Sequence, residues 1–182
     1  GPPTTGGVNG LAFSETVYDA SFRKFPLTKK QPLVNVPLET TVLVQDFDFV
    51  LGKPKKVTAP DGNATQYTYD GFGRPLKGWD SLGSESLPAT TYSYGWGAEP
   101  NVITVSHRTG AGPTETISEK HCFDGFGRKI STVTPQSPAG GIVHGEILLG
   151  ARGLPLWSFA PRTVSTLACD PPQPGSIAPS VV

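Results

Sequence analysis

In a chain of 182 residues, fifteen basic side chains balance fifteen acidic ones, so no global field is present to hold a phosphate backbone or an anionic membrane surface. That balance argues against nucleic acid as a partner. A hydrophobic share of 36%, with 22 glycines and 19 prolines, punctuates the chain too often for long helices and predicts one all-β, turn-rich fold.

The predicted elements follow in chain order. Residues 1–10 (GPPTTGGVNG) read as a flexible lead-in, and Gly1-Pro2 as the scar of a tag-removing protease, which makes the chain an excised segment whose export signal is not visible. Strands are expected at Thr40–Val44 and at Lys56-Val57-Thr58, followed by a turn at Pro60-Asp61-Gly62-Asn63. The apolar run from Thr41 to Leu51 is interrupted by Asp46 and Asp48, so no membrane span is predicted. Ala64–Tyr69 and Ala89–Tyr94 alternate tyrosine with small polar residues, the period of a half-buried strand. Asn101–Ser106, Lys129–Thr134 and Ile142–Leu149 are β-branched or apolar stretches between turn residues and read the same way. Residues 135–141 form a loop. The array is expected over 11–160, with a Pro-rich tail or linker over 161–182.

A repeat is written into the turns. Tyr69-Asp70-Gly71-Phe72-Gly73-Arg74 and Phe123-Asp124-Gly125-Phe126-Gly127-Arg128 share five residues of six. Weaker copies are Tyr18-Asp19-Ala20-Ser21-Phe22-Arg23, which keeps the Tyr-Asp and the Arg, Phe49-Val50-Leu51-Gly52-Lys53, Tyr94-Gly95-Trp96-Gly97, and Leu149-Gly150-Ala151-Arg152-Gly153-Leu154. Anchored on Phe22, Gly52, Gly73, Gly97, Gly127 and Gly153, the copies recur every 21 to 30 residues, a spacing suited to one hairpin per repeat. Asp70 and Asp124 can accept hydrogen bonds from turn N–H groups, and the glycines permit positive φ. Arg74 and Arg128 can pair with a motif Asp or stack on an aromatic ring of a neighbouring repeat. All of this is mechanical.

Catalytic and metal constellations are thin. There is no Gly-x-Ser-x-Gly elbow, no His-Glu-x-x-His and no phosphate-binding loop. His107, His121 and His144 are separated by strand-like sequence, and His121 and Cys122 point to opposite faces of a strand. Glu115 and Glu119 fall on one face of the same expected strand, and a solvated face serves them better than glycoside hydrolysis. No enzyme activity, catalytic residue, metal or cofactor is expected. Cys122 and Cys169 lie far apart and fit no zinc pattern; a disulfide stays open, and two unpaired thiols are the expectation.

The Tyr-Asp-x-x-Gly-Arg signature among short strands resembles the YD repeat of Rhs proteins, of B components of insecticidal toxin complexes, and of teneurins. The stretch from Gly52-Lys53-Pro54 to Gly73-Arg74-Pro75 is similar to the bacterial versions in particular. The resemblance implies repeated antiparallel β-hairpins in a curved or spiralling sheet, a shell segment of a larger secreted or cell-surface bacterial protein. Its partners would be other repeats or chains of the shell, an enclosed effector or a toxin-complex subunit. Tyr18, Asp19, Arg23, Tyr69, Asp70, Gly73, Arg74, Phe123, Asp124, Gly127 and Arg128 would be its structural motif. Some relatives cut off their own C-terminal effector, but the Asp-Pro-x-Gly signature of that boundary is missing and self-cleavage is not carried over. The alternative is a carbohydrate- or receptor-binding β-module in which Tyr92, Tyr94 and Trp96 take a glycan.

Overall fold

The computed structural model describes residues 14–32, 39–97, 100–110, 112, 114–136 and 140–170; the lead-in at 1–10 and the last part of the tail lie outside them. All regular structure in these residues is β, and every paired strand is antiparallel. The chain divides into two compact units, residues 1–86 and 87–182.

The first unit is a meander of β1 (Glu15–Tyr18), β2 (Pro26–Pro32), β3 (Glu39–Asp48), β4 (Lys53–Thr58), β5 (Ala64–Tyr69) and β6 (Pro75–Trp79), each paired with the next. Because each strand returns beside its predecessor, alternate turns share one edge of the sheet. The β1–β2, β3–β4 and β5–β6 turns share an edge, and the Ala59–Asn63 turn sits on the other. β2 was not legible in the sequence: its lysines and terminal prolines suppress the alternation that marks a strand. Phe25, Phe47 and Phe49 pack with ring centroids 4.7 to 5.6 Å apart, and Phe22 joins them at 5.4 Å from Phe49.

In the second unit β7 (Thr90–Gly95), β8 (Asn101–Arg108), β9 (Thr116–Phe123), β10 (Lys129–Pro135) and β11 (Gly141–His144) pair in sequence, and β14 (Arg162–Val164) adds to β11. Between β11 and β14 the chain makes a separate hairpin of β12 (Ile147–Leu149) and β13 (Pro155–Ser158). The core of this unit is Cys122, Val133 and Val143, with Ile130, Val164, Leu167 and Cys169 packed against it.

Four expectations are corrected here. Ile142–Leu149 is two strands, broken where Gly145 takes φ +61 and Glu146 turns inward to be 2% exposed. Strand structure does not stop at 160, because β14 finds a ladder partner in β11. The cysteines are not free thiols: that return of the chain carries Cys169 to Cys122, Cα to Cα 5.7 Å, in a disulfide. Glu115 precedes β9 and accepts a bond from Thr109 N–H through its backbone carbonyl, so it does not share a strand face with Glu119.

Candidate functional site

The repeated turns are one device used several times. In Asp70–Arg74, Gly73 N–H donates to Asp70 O (2.9 Å) and Asp70 N–H to Arg74 O (2.9 Å), with Gly73 at φ +76. This is a turn followed by a left-handed residue, the three-residue hairpin loop that leaves a bulge, and the register shifts between Thr68 and Tyr69 as it should. Asp124–Arg128 repeats it, with bonds of 3.0 and 3.0 Å and Gly127 also at +76. Gly150–Leu154 has the same backbone without the aspartate, at 2.8 and 2.9 Å, with Gly153 at +76. Ala59–Asn63 is built alike, with Gly62 at +86.

Side chains then lock the turn. Asp70 Oδ1 accepts from Phe72 N–H and Arg74 N–H, both at 2.9 Å, while Oδ2 accepts from Arg74 Nε at 2.6 Å. Asp124 does the same with Phe126 N–H, Arg128 N–H and Arg128 Nε, at 3.0, 2.9 and 2.7 Å. Partial burial pushes both carboxyls up, and the backbone and guanidinium donors outweigh it to hold them below the usual carboxylate range. The guanidinium of Arg74 lies 5.3 Å from the Phe72 ring centre and that of Arg128 5.1 Å from Phe126. Each arginine pairs with the aspartate of its own turn, one of the two roles open to it in the sequence, and lies over that turn's aromatic ring; the side chain emerges one residue after the glycine and folds back over the loop.

The first copy is wired differently. Asp19 is 3% exposed and accepts from Phe22 N–H, Lys24 N–H (3.0 Å) and Phe25 N–H (2.9 Å). Burial acts to raise its pKa, and donors from Phe25, Phe22, Lys24 and Arg23 overcome that and bring it to about 2. Arg23 adopts φ +52, the left-handed position that Gly73 and Gly127 fill elsewhere, so it is not the counterpart of Arg74. Of the motif tyrosines, Tyr18 is 52% exposed, whereas Tyr69 donates its hydroxyl to Pro54 O at 2.8 Å.

Two aspartates escaped the sequence reading. Asp48 accepts from Val50 N–H (3.1 Å) and Leu51 N–H (3.0 Å) and pairs with Lys55 at 3.4 Å, ahead of Gly52 at φ +66. Asp80 accepts from Leu82 N–H at 2.9 Å. The missed signal is simple: aromatic-Asp occurs at Tyr18-Asp19, Phe47-Asp48, Tyr69-Asp70, Trp79-Asp80 and Phe123-Asp124, and the aspartate caps its turn each time.

Different turns also approach one another. A Cβ added to Gly52 would lie 3.6 Å from Phe25 Cε1 and one added to Gly73 3.8 Å from Lys53 Cε, while a Cβ on Gly153 would overlap Arg128 Nη1. In each case a residue just past one turn lies over the bare Cα of the next. Tyr94 and Trp96 stack with an interplanar angle of 6° and centroids 6.3 Å apart, and Tyr92 lies on the same strand as Tyr94. Among the described residues no group of three or more His, Cys, Asp or Glu is placed to hold a metal.

Antiparallel hairpins whose turns are fastened by their own aspartates define an all-β repeat protein. The family model for the RHS Repeat matches residues 50–77, from the β3–β4 turn through the Asp70 turn into β6, so that stretch is similar to an RHS repeat. No curated protein matches the chain.

Proposed function

We propose that this chain is a structural segment of a β-shell that encapsulates or presents a toxin or effector of a larger secreted bacterial protein, and that it is not an enzyme. Supporting the reading is the local fastening of the turns: Asp70 and Asp124 each accept from two backbone N–H groups and from the arginine Nε of the hairpin that carries them. Such a system builds a wall, since each hairpin presents a finished edge to the next. Further repeats or chains of the shell, an enclosed effector or a toxin-complex subunit would be its partners, and its location would be secreted or at the cell surface, a reading supported by the similarity of residues 50–77 to an RHS repeat.

The test is the complete gene. The shell reading expects further Tyr-Asp-x-x-Gly-Arg copies on at least one side and an unrelated C-terminal segment; a gene with neither sinks it. The stacked Tyr94–Trp96 pair, with Trp96 51% exposed, is the observation that favours glycan binding instead. Binding on a glycan array that disappears in Trp96→Ala would favour that second reading.

A further inference from the structure

The return of the chain after the β12–β13 hairpin forms a strap across the second unit. β14 pairs with β11 through only three residues, Val164 with Gly141, Thr163 with Ile142 and Arg162 with Val143. Leu167 and Cys169 then lie over the Cys122–Val133–Val143 core. The strap sits on a surface shaped for it. A Cβ on Gly140 would overlap the Val164 carbonyl, and one on Gly141 would come within 2.6 Å of Leu167 Cδ2. Arg162 makes a bidentate pair with Glu146 at 3.1 and 2.9 Å.

Yet from 162 to 170 every residue is half-buried or exposed. Three ladder pairs, one ion pair and a few half-buried apolar groups oppose the backbone entropy of the whole strap, which leaves the disulfide as the element that decides whether it stays down. We propose that residues 162–169 are a thiol-released strap, shut while Cys122 and Cys169 are joined and opened by a small monothiol of a reducing compartment. Its place in the fold supports this: the strap covers the β11 ladder edge and the core at once, so its release uncovers both.

The chemistry balances with two equivalents of monothiol. A first thiolate attacks the sulfur of Cys169, which is half-buried where Cys122 is 1% exposed. The disulfide breaks, Cys169 becomes a mixed disulfide, and Cys122 leaves as a thiolate that takes a proton from solvent. A second thiolate attacks the outer sulfur of the mixed disulfide, giving the oxidised monothiol dimer and a Cys169 thiolate that is protonated in turn. Two electrons pass from two thiols to one disulfide.

Hydrogen exchange with mass spectrometry, on the protein with and without millimolar reduced glutathione, tests the strap without a mutation. The expected result is complete reduction with exchange at Gly141–His144 and Arg162–Val164 rising by roughly tenfold or more, while β8 and β9 keep their protection and reoxidation restores the strap. The proposal is overturned by a disulfide that glutathione does not reduce, by unchanged strap exchange after proven reduction, or by an equal rise throughout 90–135. Arg162→Gln in the oxidised protein is the control. Retained strap protection supports the disulfide as the latch, and loss of protection there assigns the latch to the ion pair and overturns the proposal.

Discussion

The guanidinium of Arg128 occupies the space that a side chain on Gly153 would need. Arg128 is itself held by Asp124 and stacked on Phe126, so it cannot swing aside freely. One repeat's arginine thus depends on the next repeat's glycine. Gly62 is the natural comparison, because it also has positive φ but nothing within 4 Å of its missing Cβ. Gly62→Ala should cost about 1–2 kcal/mol from left-handed backbone strain alone. Gly153→Ala should cost more by the displacement of Arg128, and denaturant titration of the two variants beside Gly153→Ala/Arg128→Ala reads the difference.

Asp19 carries the acid response of the first turn. Its pKa falls from 3.8 to about 2 on folding, so protons bind the unfolded chain more readily. The stabilisation is present in full above pH 3.8 and is lost as the pH falls through about 2. The protection of the Phe22, Lys24 and Phe25 amides, taken relative to their intrinsic exchange rates at each pH and followed down that range, should fall in the parent. Asp19→Asn should start with less protection at neutral pH and show a flatter acid dependence; an unchanged dependence would remove Asp19 as its source.

Breaking the Glu146–Arg162 pair on one side should be worse than removing it on both. Glu146 is 2% exposed, and Arg162→Ala leaves its carboxylate buried without a partner, at a cost of about 3 kcal/mol. Glu146→Leu combined with Arg162→Leu should recover much of that loss, since two apolar groups need no partner. Thermal melts of the single and double variants check the order.

The exposed and enclosed aromatics of one turn should differ in kind. Phe72 is 87% exposed and contributes mainly its contact with Arg74, so Phe72→Ala should cost about 0.5–1 kcal/mol. Tyr69→Phe keeps the ring but deprives the Pro54 carbonyl of its donor, a loss of about 1 kcal/mol. Because the second change acts between strands, it should also raise exchange in β4 where the first does not.

The turns were legible in sequence because each is decided within about five residues: an aspartate, its N–H donors and a residue that accepts positive φ all lie in one short window. Asp48 was not seen as part of the Phe49–Lys53 copy because one extra residue separates aspartate from glycine there, and Asp80 was missed because no arginine follows its Gly83. The same locality explains why Arg23 misled: its letter matches the motif arginine, but its backbone does the work of the glycine.

By itself, then, the sequence determined an all-β chain, the repeat it resembles and the places where it reverses, since local hydrogen bonding and φ preferences dictate those. Only the tertiary structure decided the break at Glu146, the pairing of Arg128 with Gly153 and the disulfide that ties the strap to β9. Their partners stand 16, 25 and 47 residues apart, and nothing local in a chain specifies which distant groups its strands will bring together.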